Sequence, residues 1–408
     1  MRPVTPDQDP TTAYAGPDTR PRPTISPFTF PEDEHRARVA RAGAAMAAAG
    51  LDALLVTDDR NFFYFTGAGG ATAREDKARP QFALVRQGGE VTVLVSHARA
   101  IPVRESSWVS EVRTYDGLAP GLVREALGQL VADAGRGVHV VGMELGYEQR
   151  LGMSVGDYES LRARLPDRRF VDASTSLWGL RMVKSPAEQA RLERAVRITD
   201  LAYTAVLPTI RPGMTEREIV GRLHGEMARQ GASTSWCIVQ SGTYDRGGLV
   251  LRDRPVQSGE MVWLDMGANV LGYWADFSRA AVLGAPTGHQ RDTWEKIHEV
   301  TDLAMAAVRP GATVADVARV ADREMARRGL VFNTWGARYG HGFGLQTTEP
   351  PHVALYDDTV LSAGMTLTLE PGTCTPGGRF QIEQNFVVTD HGVRCVSQAP
   401  WELVVVPA

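Results

Sequence analysis

The stretch "WLDMGANVLGYWADFSR", Trp263 to Arg279, carries two aspartates, Asp265 and Asp276, inside segments that otherwise read as core strands. Gly267, Asn269 and Gly272 lie between them and allow a turn, so the pattern predicts two paired strands, each bearing an acid. Side chains alternate across a strand, and register decides whether both acids reach one face. Two carboxylates buried together without a partner repel each other and are costly to desolvate. A cation between them removes that cost.

Three more residues further along point the same way. Glu370 ends the strand-like "MTLTLEPG" (365–372), and Glu383 sits inside "FQIEQNFVVTD" (380–390). His341 lies in "YGHGFGL" (339–345), among glycines that let the backbone approach something closely. Taken singly, each has a plain reading: a glutamate in a strand faces solvent, and a "GHG" is a turn. Taken together, four carboxylates and one imidazole form a hard, oxygen-rich set. It favours Mn²⁺ or Fe²⁺, with Co²⁺ or Zn²⁺ as alternatives. Five side chains exceed what one catalytic metal ordinarily takes. Two ions bridged by carboxylates, with a water or hydroxide between them, fit the set better.

Outward from this stretch, the chain divides into three parts. Residues 1–32 are rich in Pro, Thr and Asp and lack the apolar content to order themselves, so they read as a flexible arm. Residues 33–180 alternate helix and strand. "PEDEHRARVARAGAAMAAAG" has helix composition with Gly50 as its C-cap, and "LDALLVT" is an apolar strand. "FALVRQGGEVTVLVS" is a hairpin about Gly88-Gly89, and "GVHVVGMEL" is a buried strand. This is an α/β domain. Residues 181–408 open with "VKSPAEQARLERAVRITDLAY", where Ser185 is an N-cap, Pro186 takes the first helical position and Glu188 completes a capping box. "MTEREIVGRLHGEMARQG" and "TVADVARVADREMARRG" share a Thr start, an apolar face, "EMAR" and a terminal Gly, and each follows a helix that is expected to end in "RPG". This weak internal similarity predicts two related halves.

The 408 residues are too many for one ordinary core. A hydrophobic share of 43%, a charged share of 23% and a net charge of −4 fit a globular enzyme and offer no basic excess for nucleic acid. No apolar run is long enough to span a bilayer. The three cysteines, Cys237, Cys374 and Cys395, form no zinc spacing and no disulfide framework, which suggests a reducing compartment. No secretion signal is read at the N-terminus, so the expected location is cytoplasmic.

These motifs resemble the pita-bread metallopeptidase superfamily of methionine aminopeptidase, aminopeptidase P, prolidase and creatinase. The likeness rests on "LDMGANVLGYWADFSR", "GHGFGL", "MTLTLEPG" and "IEQNFVVTD", and reaches the first domain through "LDALLVTDDRNFFYFTG". It implies an α/β creatinase-like N-terminal domain followed by a pseudo-symmetric α+β pita-bread catalytic domain. It implies that Asp265 chelates one metal, Asp276 and Glu383 bridge, and His341 and Glu370 hold the second, with Glu370 also taking a proton from the attacking water. It further implies a homodimer in which the first domain of one subunit closes over the other's site, with Tyr64, Arg74 or Arg79 as the residues that reach across.

Members that cleave peptides usually carry two more histidines and an arginine. Here Gly248, Thr348 and Gln381 stand at those positions. Tyr244, Asp245 and Arg246 in the altered loop, and His352 after "TEPP", are the candidates to replace them, an arginine being able to grip a substrate carboxylate bidentately. Trp236, Trp335 and Tyr339 are candidate pocket walls, and Tyr273 and Ser278 candidate partners of the metal ligands. The expected activity is hydrolysis of a C–N bond in a small amide, amidine or Xaa-Pro-like substrate, a small molecule or short peptide. The alternatives are a metal-dependent lyase like that acting on dimethylsulfoniopropionate, or a catalytically dead binding protein. The lyase branch tends to carry an extra acid where this chain has Gly267.

Overall fold

The structure is a computed structural model that describes residues 30–68, 79–116, 120–242, 251–332 and 338–408. Most of the Pro-rich arm, together with Arg74, Tyr244, Asp245, Arg246, Gly248 and Trp335, lies outside the described residues.

The first domain is built on a six-stranded mixed sheet. Its spatial order is Glu111–Tyr115, Val91–Ser96, Phe82–Arg86, Ala53–Val56, Val140–Met143, Arg169–Asp172. Every residue of Ala53–Val56 is buried, because helices cover both faces. Ala53, Leu55, Phe82 and Leu84 share a core with the helix Pro120–Ala132. Leu54, Val56, Ala83 and Val85 belong to a second core with the helices Glu32–Ala49 and Asp59–Thr66. That second core runs on without a break into residues of the second domain such as Leu192, Tyr203 and Phe277.

The helix Pro186–Val206 opens the second domain with the expected capping box, Ser185 and Glu188 each bonding the other's backbone N–H. The internal repeat is visible in the fold. Helices Glu216–Arg229 and Val314–Arg327 begin with matching capping boxes, Thr215 with Glu218 and Thr313 with Asp316. The "RPG" segments do not end the preceding helices. They form the turns just after them, with Gly213 and Gly311 at φ +91° and +86°. Each turn glycine donates its N–H to a distant segment next to an isolated bridge with the helix cap, Gly213 to Val256 O at 2.8 Å and Gly311 to Leu361 O at 2.9 Å.

Each half contributes one long hairpin. In the first, Met261–Val270 pairs antiparallel with Tyr273–Trp274 and Phe277–Leu283 in a single register. In the second, Thr366–Leu369 and Gly372–Thr375 pair with Gln384–Thr389 and Gly378–Gln381, again in one register. The two hairpins are stitched together at one level. Glu383 N donates to Ser278 O at 3.1 Å, and the Asn385 side-chain amide accepts from Asp276 N at 3.4 Å while donating to Asp276 O. No helix among the described residues is long and apolar enough to cross a membrane.

Candidate metal centre

Register answers the question raised by the two aspartates. Asp265 is paired with Ser278, and continuing that register sets Asp276 opposite Gly267. Cross-strand partners share a face, so both acids lie on one face as diagonal neighbours. The turn is Leu271-Gly272, both at positive φ, tightened by Gly272 N donating to Asn269 Oδ1 at 3.0 Å. Gly267 serves a different purpose from the one expected. A Cβ there would sit 1.8 Å from the carbonyl oxygen of Ala275, so only glycine lets the strands close up beside Asp276.

The second hairpin supplies the other acids by the same logic. Its register sets Glu370 opposite Glu383. Both stand where the ladder is interrupted, as does Asp276, and Glu383 is therefore not mid-strand as its sequence suggests. Asp265, by contrast, sits inside an unbroken ladder, paired with Ser278 on one side and Ile238 on the other. His341 is in the adjoining short strand, directly across from His352.

Asp276, Glu370 and Glu383 converge on His341, and Asp265 shares the face of Asp276. The ligand atoms of Asp276, His341 and Glu383 lie within 4.8 Å of one another. His341 Nε2 is 3.6 Å from Asp276 Oδ2, 3.6 Å from Glu370 Oε1 and 3.8 Å from Glu383 Oε1. His341 Nδ1 lies 2.9 Å from Gly342 O, an acceptor, so Nδ1 carries the proton and Nε2 presents its lone pair to the acids. Burial, reinforced by the nearby charge of Arg338, pushes the imidazole well below its usual range and keeps it neutral.

The acids are displaced in the other direction. Burial, then mutual repulsion, drives Asp276 and Glu383 well above the carboxylate range. Burial pushes Asp265 up to about 6, against the opposing charge of Arg379. Burial also pushes Glu370 up to about 7, against Arg338. Among the described residues, neither carboxylate oxygen of Glu383 has a hydrogen bond, nor does Asp265 Oδ1. Buried, unpartnered carboxylate oxygens facing a neutral imidazole are costly unless a cation sits among them. The donor set therefore fits divalent metal, and these five side chains are the ones that would hold it.

The surrounding residues sort clearly. Ser278 is buried opposite Asp265, with an Oγ that has no partner among the described residues. Tyr273 instead turns to the domain seam, where its hydroxyl donates to Glu188 at 2.8 Å. Tyr339 stacks on Phe332 and donates to Asp322. Trp236 donates to Ala275 O at 3.4 Å, beside Gly267. Tyr64 is buried, accepting from Arg41 and donating to Leu180 O, so its hydroxyl is engaged within its own chain and is not presented to a neighbour. Gln381 donates to Glu370 Oε2 at 2.9 Å and accepts from Arg379 at 2.6 Å. Thus an arginine stands two residues before the position where the peptidase pattern has one.

His352 is buried beside the cluster, with both ring nitrogens engaged. Nδ1 faces Arg338 at 3.3 Å, and Nε2 faces Glu148 of the first domain at 2.9 Å. Arg338 Nη2 donates to Thr348 Oγ1 at 3.4 Å, and its Nε is 3.8 Å from Glu370 Oε1. Sequence reasoning missed Arg338 and Glu148. Arg338 stands three residues before His341, but no local pattern shows that it faces Glu370.

A creatinase-type first domain joined to a pseudo-symmetric second domain with a buried acid–imidazole cluster defines a metallohydrolase of the creatinase and prolidase type. The family models agree: residues 38–183 match the Creatinase/Prolidase N-terminal domain, and residues 190–390 match Metallopeptidase family M24. The chain belongs to metallopeptidase family M24. It is 29% identical over 363 residues to the uncharacterized peptidase YqhT of Bacillus subtilis, covering 87% of this chain and 96% of that one. It is 30% identical over 266 residues to an Xaa-Pro dipeptidase of Pyrococcus furiosus, covering 64% and 75%. Among solved structures it resembles the dipeptidase PepE from Mycobacterium ulcerans, with a TM-score of 0.79, 28% identity and coverage of 93% and 100%.

Proposed function

We propose that this chain is a dinuclear hydrolase, holding two Mn or Fe ions, that cleaves a C–N bond in a small amide, amidine or Xaa-Pro-like substrate. The observation that carries this reading is the convergence of three carboxylates, Asp276, Glu370 and Glu383, on the lone pair of a neutral His341, with buried carboxylate oxygens of Glu383 and Asp265 that nothing in the described protein satisfies. Asp265 would chelate one ion, Asp276 and Glu383 would bridge, and His341 and Glu370 would hold the other. When bound, the ions supply Lewis acidity and lower the pKa of water. Glu370, oriented by Gln381, is suited to accept a proton from the attacking water and pass it to the leaving nitrogen. The relatives named Xaa-Pro dipeptidase support the C–N bond as the target. The absence of histidine at Thr348 and of arginine at Gln381 argues that the substrate is gripped differently from a standard dipeptide. A lyase of the branch that tends to carry an acid at Gly267 is disfavoured, since a Cβ there would sit 1.8 Å from Ala275 O.

The test is metal content per chain by plasma mass spectrometry, on protein purified without chelator, beside Asp276→Ala. About two Mn or Fe per chain are expected, lost in the variant together with hydrolysis of Xaa-Pro dipeptides or small amides. Absence of bound metal even after anaerobic loading would overturn the reading.

A further inference from the structure

Gln381 holds one oxygen of Glu370, and a carboxamide has two unlike ends. Its NH2 group donates and its carbonyl accepts, so an unconstrained Gln381 could turn its oxygen towards Glu370 and repel it. Arg379 decides which end is presented. It stands two residues earlier on the strand Gly378–Gln381, so both side chains leave one face. Its Nε and Nη2 donate to Gln381 Oε1 at 3.0 and 2.6 Å. A guanidinium has no acceptor, so the amide oxygen must face it and the NH2 group is left for Glu370. Gln381 Nε2 donates to Glu370 Oε2 at 2.9 Å. With Oε2 held, Oε1 is the oxygen turned to His341 Nε2, at 3.6 Å.

Both hairpins are shaped around this arrangement. Gly372 faces Gln381 across the ladder, and a Cβ there would stand 3.1 Å from Gln381 Cβ and Cγ, so the glycine gives the glutamine stem its room. In the first hairpin, Trp263 lies two residues before Asp265 and shares its face. The guanidinium centre of Arg379 lies 3.9 Å from the Trp263 ring centroid. Trp263, Arg379 and Gln381 are all buried. A guanidinium stacked on an indole and forked onto an amide is held in one plane. Its charge also opposes the burial that raises Asp265, so action through space is the rival explanation that a test must separate.

We propose that Arg379 is a positioning residue that orients Glu370 through Gln381, a relay standing in for the arginine absent at position 381. The inference rests on the hydrolase reading for the role of Glu370 and adds to it a residue that is not a metal ligand.

The experiment uses the full-length protein. Metal-free protein is titrated with Mn²⁺ by calorimetry, and Mn-loaded protein is assayed on glycyl-L-proline. Gln381→Met keeps the charge of Arg379 and cuts the relay. It should weaken Mn²⁺ binding ~10- to 100-fold and lower kcat by a similar factor, with KM little changed. Arg379→Met should do the same, and the double variant should be no worse than the poorer single one, because both substitutions break one route. Arg379→Lys, which keeps a donor without the fork, should recover part of the loss. Melting temperature checks that each variant is folded; if Arg379→Met is not, Arg379→Lys with and without Gln381→Met supplies the same comparison. Wild-type Mn²⁺ affinity in Gln381→Met would overturn the proposal, since the charge would then act through space. Additive losses in the double variant would overturn it too, as would a fall in melting temperature alone, which would leave Arg379 only its packing against Trp263. A wild type that binds Mn²⁺ but hydrolyses neither glycyl-L-proline nor small amides would overturn the hydrolase reading, while the affinities still decide the relay. A wild type that binds no Mn²⁺ would overturn both.

Discussion

Four acids share one buried site, and the metal-free protein must neutralise them with protons. Asp265 is pushed up to about 6 and Glu370 to about 7, with Asp276 and Glu383 higher still. In an unfolded chain these groups titrate near 4. Between those limits the folded state binds more protons than the unfolded one, so the contribution of these groups to stability falls as pH rises. Chelator-treated protein should therefore melt at a higher temperature at pH 5 than at pH 8. Asp276→Asn should flatten that difference, and metal should reverse it, because ligand deprotonation makes metal binding tighter as pH rises. Melting curves at the two pH values, with and without Mn²⁺, check all three; a metal-free protein more stable at pH 8 would refute the account. At this scale the acids were legible because charge inside an apolar strand stands out in any sequence. Arg338 and Glu148 were not, because the contact between Glu148 and His352 joins residues 204 positions apart and leaves no local pattern.

The elements that carry the acids were readable as strands, but their interruptions were not. Periodicity shows that 261–283 and 365–389 alternate or run apolar; it does not show where a ladder opens to seat a carboxylate. Composition allows the turn anywhere among Gly267, Asn269 and Gly272, all good turn formers, and the structure sets it at Leu271-Gly272. Gly267 is the most demanding position in the first hairpin. Gly267→Ala would place a methyl group 1.8 Å from Ala275 O and 2.6 Å from Trp236 Nε1. The backbone contact cannot be relieved by a rotamer change, so the strands must separate beside Asp276. The expected cost is about 3 kcal/mol or more, by analogy with overpacked cores. Denaturant unfolding should show that loss, and metal content should fall with it. A variant with wild-type stability and full metal would mean that the hairpin relaxes at no cost.

The two domains are joined by buried charge as well as by a continuous apolar core. The short linker between the helices Ser174–Met182 and Pro186–Val206 carries Lys184, and Arg181 precedes it. Both reach Glu349, which lies next to Thr348; Lys184 Nζ is 3.2 Å from Glu349 Oε2, and Arg181 bonds Oε1. Arg181 also donates to Asn61 of the first domain at 2.9 Å. Asn61 in turn bonds Glu144, whose carboxylate collects the backbone N–H groups of Thr57 and Asp58. Burial pushes Glu349 up, but Arg181 and Lys184 outweigh it and hold the carboxyl below its usual range. The sequence identifies Glu349 only as the acid after Thr348, because the cations that neutralise it come from 165 and 168 residues away. Glu349→Ala leaves two buried cations without their anion, and breaking a buried pair from one side costs about 3–5 kcal/mol. Because Glu349 holds Arg181, which bonds Asn61 of the first domain, the damage should appear in cooperativity too. Wild type should unfold in one calorimetric transition through its shared core, and the variant should show the transition lowered and split. Glu349→Gln, which keeps the shape and some hydrogen bonding, should fall between them. A single unshifted transition in Glu349→Ala would show that the apolar core alone couples the domains and that the buried charges add nothing to the seam.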